Sequence, residues 1–130
     1  MKTNVYVDGF NLYYGALKDK PYRWLDLLAL CKLMLPKNSI NSIKYYTARV
    51  ASRSTKPGQA ERQEIYLRAL RTIPDLEIVF GHFSAHTVTM YKADSPDNTP
   101  QYVDVIKTEE KGSDVNLATD LLDDGCQGKF

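Results

Sequence analysis

The sequence predicts an α/β domain with a mainly parallel sheet and helices on both faces. Segments rich in β-branched and aromatic residues alternate with segments whose apolar residues recur at helical spacing, a pattern typical of parallel sheets. The chain has 130 residues, of which 43% are hydrophobic, and this suffices for one hydrophobic core. No repeat or low-complexity tract divides it, so residues 1–130 are expected to form a single domain.

The first half of the chain contains two predicted strands and two helices. Thr3–Val7 reads as a buried, central strand that stops at an Asp-Gly pair. A short helix over Asn11–Leu17 and a longer one over Trp24–Leu35 follow from apolar spacing. The second strand is predicted within Ile40–Val50, and a polar, basic loop over Ala51–Gln59 follows it.

The second half continues the alternation and adds a hairpin. A helix is predicted over Ala60–Ile73 and a third strand over Glu77–Phe83. Thr87–Tyr91 and Tyr102–Thr108 are expected to pair around a turn rich in Pro, Asp and Asn. The last helix is predicted over Ser113–Leu122, with Ser113 as its N-cap.

Two of these helices have a predicted apolar face. In the helix over Ala60–Ile73, Ile65, Ala69 and Ile73 share one face, and Tyr66, Leu67 and Leu70 lie beside them. In the last helix, the apolar face contains Val115, Ala118, Leu121 and Leu122. We expect both faces to pack against the sheet.

Charge and hydropathy exclude several classes of protein. The formal net charge is +1, from 17 basic and 16 acidic residues, so passive coating of nucleic acid is disfavoured. The N-terminus lacks the apolar stretch of a signal peptide. The longest apolar segment, Trp24–Leu35, contains Asp26 and Lys32 and is too short to span a bilayer. These features predict a cytoplasmic protein without a membrane partner.

Asp8 is the sharpest functional signal, because it stands where the first strand ends and a helical turn begins. A carboxylate there is well placed to bind a hard cation such as Mg²⁺ or Mn²⁺, which take oxygen ligands. Asn11 lies within reach of the same place. The alternative is that Asp8 only caps the following helix.

The last helix provides a second group of carboxylates. Asp114 falls at the edge of its apolar stripe, where an inward carboxylate is costly unless it is paired or binds a metal. The alternative is that Asp114 only stabilises the start of the helix, where the helix dipole favours a negative charge. Asp120 lies beside Asn116 on the polar face, where simple solvation is the competing interpretation. Asp123 and Asp124 read as exposed.

Basic and aromatic residues supply a third signal. Arg49, Arg53, Lys56 and Arg62 can contact phosphates. Tyrosines 13, 14, 45 and 46 can stack on bases. The alternatives are a solvated loop and tyrosines buried in the core. Motifs of P-loop enzymes, Rossmann dehydrogenases and α/β-hydrolases are absent from the sequence.

Two motifs carry a resemblance to a known family. Residues 5–13, Val-Tyr-Val-Asp-Gly-Phe-Asn-Leu-Tyr, resemble the opening of NYN-domain proteins of the LabA group, which are relatives of PIN-domain nucleases. Residues 111–122, Lys-Gly-Ser-Asp-Val-Asn-Leu-Ala-Thr-Asp-Leu-Leu, are similar to a second segment of that family. Between them, Gly58-Gln59, Tyr66-Leu67 and Gly81-His82-Phe83 are similar to the family's middle section, so the resemblance covers nearly the whole chain.

The resemblance implies a PIN-like (Rossmannoid) three-layer α/β/α sandwich and hydrolysis of RNA with Mg²⁺ or Mn²⁺. It implies that Asp8 and Asp114 are catalytic metal ligands, with Asp120 as a further ligand. Asn11 would orient water or phosphate. Arg53, Lys56 and Arg62 are predicted to contact single-stranded RNA.

The family usually continues into a further strand with a Ser-Asn-Asp-Ser-Asp type motif, whereas this chain ends in residues 125–130. We therefore expect a C-terminally truncated domain with an incomplete acidic set. An open sheet edge would then favour homo-oligomers. The alternative function is a non-catalytic RNA-binding or regulatory module of the same fold.

Overall fold

The computed structural model describes residues 1–51 and 56–130 of the chain. The strands are β1 (Lys2–Asp8), β2 (Ser39–Thr47), β3 (Leu76–Phe80), β4 (His82–Tyr91) and β5 (Tyr102–Lys111). The helices are α1 (Gly9–Leu12), α2 (Leu27–Met34), α3 (Gln59–Leu70) and α4 (Ser113–Cys126), with a π-helical segment (Tyr13–Leu17) directly after α1. Within this described part, no helix has the length and apolar character to cross a membrane.

A parallel sheet carries the site. Its strand order is β1-β2-β3, with β2 in the centre, which confirms the predicted α/β class. Asp8 pairs in register with Tyr46, so the carboxyl ends of β1 and β2 lie at the same edge, where α/β sheets form their functional crevice. The expectation of a buried, central first strand is wrong: β1 is partly exposed, because among the described residues it pairs only with β2.

The two faces of the sheet differ in polarity, because side chains alternate along a strand. Tyr45 belongs to the apolar core together with Leu27 of α2 and with Leu67 and Leu70 of α3. Tyr46, the next residue, points to the other face and donates a hydrogen bond of 2.8 Å to Asp120 of α4. Helices therefore contact both faces of the sheet.

Part of the apolar set predicted for α3 is buried and part is exposed. Leu67 is 1% exposed and Leu70 is also buried, whereas Ile65, which was expected to face the core, is 50% exposed. Tyr66 packs against the same core cluster, and its hydroxyl donates to the Leu25 carbonyl at 2.7 Å. Packing of Leu67 and Tyr66 on Tyr45 thus sets the rotation of the helix.

The predicted apolar face of α4 is wrong. Val115 is 67% exposed and Leu122 is 71% exposed, while Ser113 and Asp124 are buried. The sheet face beneath α4 carries polar groups, including Tyr6 and Lys44, and these bond acidic side chains. The helix therefore turns Asp120 and Asp124 towards the sheet and leaves Val115, Leu121 and Leu122 exposed.

Asp124 is the centre of this polar interface, and its expected exposure is wrong. Its carboxylate accepts hydrogen bonds from Tyr6 Oη at 2.6 Å, Lys44 Nζ at 3.1 Å and Lys129 Nζ at 3.2 Å. The bonds from Tyr6 and Lys44 lower the pKa of Asp124 to about 2. A carboxylate with three such donors stays ionised and fixes α4 on β1 and β2.

β4 and β5 form the predicted hairpin, which is longer at both strands than the sequence suggested. Its ten pairs run from Tyr91 with Tyr102 near the turn to His82 with Lys111 at the base. The base matters for the site, because β5 leads through Gly112 into α4. Gly112, at φ 95°, is the N-cap of α4 in place of the predicted Ser113.

Candidate metal site and adjoining cavity

Asp8 combines the two roles that the sequence left open. It is the last residue of β1, and its Oδ1 accepts the backbone N–H of Asn11 at 3.0 Å, which caps α1. Its Oδ2 accepts the side-chain amide of Asn11, also at 3.0 Å. An ionised carboxylate has about four acceptor positions, so capping leaves room for a cation. Asn11 holds the carboxylate in one orientation.

Asp114, in the first turn of α4, interacts electrostatically with Asp8 at the end of β1. The pKa of Asp114 is raised, chiefly by its hydrogen-bond contact with Asp8 and by the Asp8 charge, then by burial and by the charge of Glu110. Two carboxylates in contact repel each other when both are ionised. A divalent cation between them would relieve that repulsion.

The start of α4 is fixed by contacts that hold Asp114 in place. Glu110 Oε1 accepts the backbone N–H of Ser113 at 3.0 Å. Gly81 donates its N–H to the Thr47 carbonyl at 2.6 Å. A Cβ on Gly81 would lie 2.6 Å from the Lys111 carbonyl, so only glycine lets the chain after β3 pass this close to the base of the hairpin.

Ser113 adds an unsatisfied polar group beside the carboxylates. Its hydroxyl is fully buried and, within residues 1–51 and 56–130, has no hydrogen-bond partner. Buried hydroxyls are normally bonded, and exceptions have causes such as strain, an ordered water or an ion. The carboxylates of Asp8 and Asp114 and this hydroxyl all offer oxygen atoms, which suit Mg²⁺ or Mn²⁺.

Asp120, the third predicted ligand, has other partners. It accepts from Tyr46 Oη at 2.8 Å and lies 3.8 Å from Lys44 Nζ. Burial and this hydrogen bond raise the pKa of Tyr46. No cluster of three or more His, Cys, Asp or Glu side chains suited to a metal ion occurs in the described ranges. The structure thus brings together Asp8 and Asp114 and assigns Asp120 to the polar interface.

Gly9 follows Asp8 directly and lines an adjoining cavity. The sequence suggests that Gly9 serves a sharp turn, but it is a buried helical residue outside the positive-φ set. A Cβ there would lie 2.6 Å from Tyr45 Cζ and 2.8 Å from the Tyr46 carbonyl. Burial, then Tyr66 and the charge of Asp8, raise the pKa of Tyr45. Tyr45 therefore stands between Asp8 and the cavity.

The cavity has a volume of about 370 Å³ and lies beside the carboxyl ends of β1 and β2. Lys56 and Arg62, both predicted phosphate contacts, line it together with Tyr13 and Tyr45. Arg53, the remaining predicted contact, lies outside the described residues. Arg49 does not join them, because it forms an ion pair with Glu64 and covers the Phe80 ring.

Comparison with known proteins yields one curated relative at 33% identity. It is the 6-hydroxy-3-succinoylpyridine 3-monooxygenase HspA of Pseudomonas putida (strain DSM 28022 / S16), aligned over 153 positions. The alignment covers 99% of this chain but 49% of that protein, so the chain spans about half the length of its relative. No protein-family model and no solved structure matches the chain.

The motif resemblance includes Gly81, but sequence reasoning missed its structural role, as well as the roles of Glu110 and of Trp24, which lines the cavity. Glu110 stands three residues before Ser113, a spacing that suits a bond to the first N–H of a helix, but this becomes evident only when the helix start is known. Gly81 and Trp24 give no local signal, because their roles come from distant parts of the chain that fold against them.

Proposed function

We propose that this domain hydrolyses RNA phosphodiester bonds with Mg²⁺ or Mn²⁺ held by Asp8 and Asp114. The observation that carries the proposal is that Asp8, at the carboxyl edge of a parallel sheet, lies near enough to Asp114 to raise its pKa. The motif resemblance to NYN domains supports the same chemistry. We also propose the finer architecture that it implies, a PIN-like three-layer sandwich, and a cytoplasmic location.

The residues divide the work as follows. Asp8, oriented by Asn11, and Asp114, held by the Glu110 contact at the start of α4, bind the cation. When bound, such a cation polarises the phosphate and activates water. Lys56 and Arg62 hold the RNA backbone. Asp120 acts on this site indirectly, because its bond to Tyr46 fixes α4 against β2.

The test of this function is cleavage of a labelled single-stranded RNA by the purified chain. We expect products with Mn²⁺ or Mg²⁺ and none with EDTA, because Asp8 and Asp114 alone carry no group suited to attack a phosphate. Products formed equally well in EDTA would contradict a metal-dependent reaction. RNA binding that EDTA does not change, without any products, would instead indicate the non-catalytic module.

A second candidate is oxygenation of a small heteroaromatic compound. The 33% identity to a protein named as a monooxygenase of a substituted pyridine favours it. The cavity next to Tyr45 has a volume in the range of small-molecule sites. Oxygen consumption with a hydroxypyridine acid and a reduced nicotinamide distinguishes this candidate from hydrolysis.

Self-association through β1 stays a prediction. In the part of the chain that the structure describes, the outer edge of β1 carries no paired strand. The side-chain amide of Asn4 donates to the Lys129 carbonyl at 3.2 Å, so the C-terminal segment covers one end of β1. An unpaired edge is a template for a strand of another chain.

A further inference from the structure

The cavity beside the carboxylate pair is walled by aromatic rings that are already in contact. Trp24 and Tyr66 have ring centroids 6.1 Å apart, and Tyr66 and Tyr45 have centroids 6.4 Å apart at 72°. Tyr66 is fixed by its bond to the Leu25 carbonyl, and Tyr45 is buried. Tyr13 belongs to the same wall. Tyr45 and Tyr66 are held before any ligand arrives, which limits the entropy lost on binding. Trp24 is half exposed, and the Arg23 guanidinium lies 5.9 Å from the centroid of its ring.

Positive charge surrounds the same cavity. Among the described lining residues, Lys18, Arg23, Lys56 and Arg62 are cationic, and Asp19 is the single carboxylate. In the described part of the chain, none of these four cations lies in an ion pair. A cleft with this excess of one sign attracts an anion. Arginine and lysine donors bind carboxylate and phosphate groups with charge-assisted hydrogen bonds.

Arg62 is the cation best placed by the fold. It lies in the first turn of α3, and its Nη1 donates to the Pro57 carbonyl at 3.3 Å, which anchors the guanidinium at the cavity. A guanidinium has five donors, and this bond uses one. Gln63, the next residue, bonds both the Ala48 carbonyl at 2.8 Å and the Val50 N–H at 2.9 Å. These bonds hold the chain after β2 against α3.

We propose that this cavity binds a planar heteroaromatic ring that carries an anionic group, with the ring against Trp24 and Tyr13 and the anion at Arg62. The volume of about 370 Å³ suits one such ring with its substituent. This inference rests on the proposed function, which assigns Lys56 and Arg62 to substrate, and it names the ligand class of their cavity; Asp8 and Asp114 are not among the lining residues. The ligand is either a nucleotide within RNA or a free heteroaromatic acid, and both share this chemistry.

Trp24 provides a direct probe, because it is the one tryptophan of the chain and lines the cavity. Its emission is titrated in EDTA with adenosine 5′-monophosphate, adenosine, 6-hydroxynicotinic acid and a single-stranded oligoribonucleotide. Equilibrium dialysis gives the same affinities without an optical signal. Because EDTA excludes cleavage, the result does not depend on whether the carboxylate pair is catalytic.

We expect saturable binding of the two ring-bearing heteroaromatic anions, and binding of adenosine weaker by about tenfold or more, because it lacks the anion. Arg62→Met should weaken the binding of both anions by a similar factor. Arg68→Met, on the same helix but away from the cavity, is the matched control and should change nothing. Tighter binding of the oligoribonucleotide identifies RNA as the source, and tighter binding of 6-hydroxynicotinic acid identifies a free acid.

Three results would overturn the proposal. One is that equilibrium dialysis detects no binding of either ring-bearing anion up to about 5 mM, a concentration above the dissociation constants of typical specific binding. Another is equal affinity for adenosine and its monophosphate. The third is an Arg62→Met protein that keeps wild-type affinities while its melting temperature shows that it is folded.

Discussion

Replacing Asp8 with asparagine is expected to lower manganese-dependent RNA cleavage by at least about 100-fold, since even outer partners of metal ligands cost 10- to 100-fold. The fold should survive, because asparagine caps a helix as well as aspartate does. Removing the charge also relieves the repulsion with Asp114. Melting in EDTA should therefore occur at the wild-type temperature or above it.

The matched control for this variant is Asp26→Asn. Asp26 caps α2 with the same geometry, since its Oδ1 accepts the Ala29 N–H at 3.1 Å, but it lies outside the carboxylate pair. Cleavage by the control should equal that of the wild type. An Asp8→Asn protein that also cleaves at the wild-type rate would mean that Asp8 is only a helix cap.

Replacing Leu67 with alanine is expected to cost about 2–5 kcal/mol in the free energy of unfolding, because it empties space in a packed core. Leu67 contacts the cluster formed by Leu27, Tyr45 and Leu70. Ile65→Ala, two residues earlier on α3, should cost less than about 1 kcal/mol, because its side chain is half exposed. Urea denaturation followed by circular dichroism measures both values.

This pair decides which face of α3 packs on the sheet. Both variants remove a large aliphatic side chain from the same helix, so helix propensity affects them similarly. Equal losses, or a larger loss for Ile65→Ala, would support the face that apolar spacing suggests and would contradict the observed packing.

The rotation of α3 shows why periodicity locates a helix better than its buried face. Ile65, Ala69 and Ile73 satisfy helical spacing, but so do Tyr66, Leu67 and Leu70 beside them. The choice between the two sets depends on Tyr45, which packs against Tyr66 and Leu67 from a strand about twenty residues away. That contact has no local signature in the sequence.

The inverted face of α4 has a different cause. A strand rich in tyrosine reads as apolar, yet the tyrosine hydroxyls and Lys44 make one sheet face polar. Asp120 and Asp124 then gain more from these donors than Leu122 would gain from burial there. The presence of these strands and of the helix was predictable from the sequence. The polarity of the sheet face beneath α4 was not, because it depends on which side chains of β1 and β2 meet the helix.

Asp8 and Asp114 were predictable as a pair through the motif resemblance, which implies that both are metal ligands. Asp8 and Asp114 end or begin elements whose termini meet at the same edge of a parallel sheet. The division of the remaining carboxylates was not predictable. Asp124 reads as exposed and is buried, because the side chains of Tyr6 and Lys44 that hold it come from two other elements.

The most direct test of the account is calorimetric titration of Mn²⁺ into the wild type, Asp114→Asn and the exposed control Asp123→Asn. We expect the wild type and the control to bind equally, and Asp114→Asn to bind at least about tenfold more weakly. Because Asp8 raises the pKa of Asp114, protons compete with the cation, so wild-type affinity should fall as pH decreases towards that pKa. Equal Mn²⁺ affinity in Asp114→Asn and the wild type would contradict a metal site at Asp8 and Asp114.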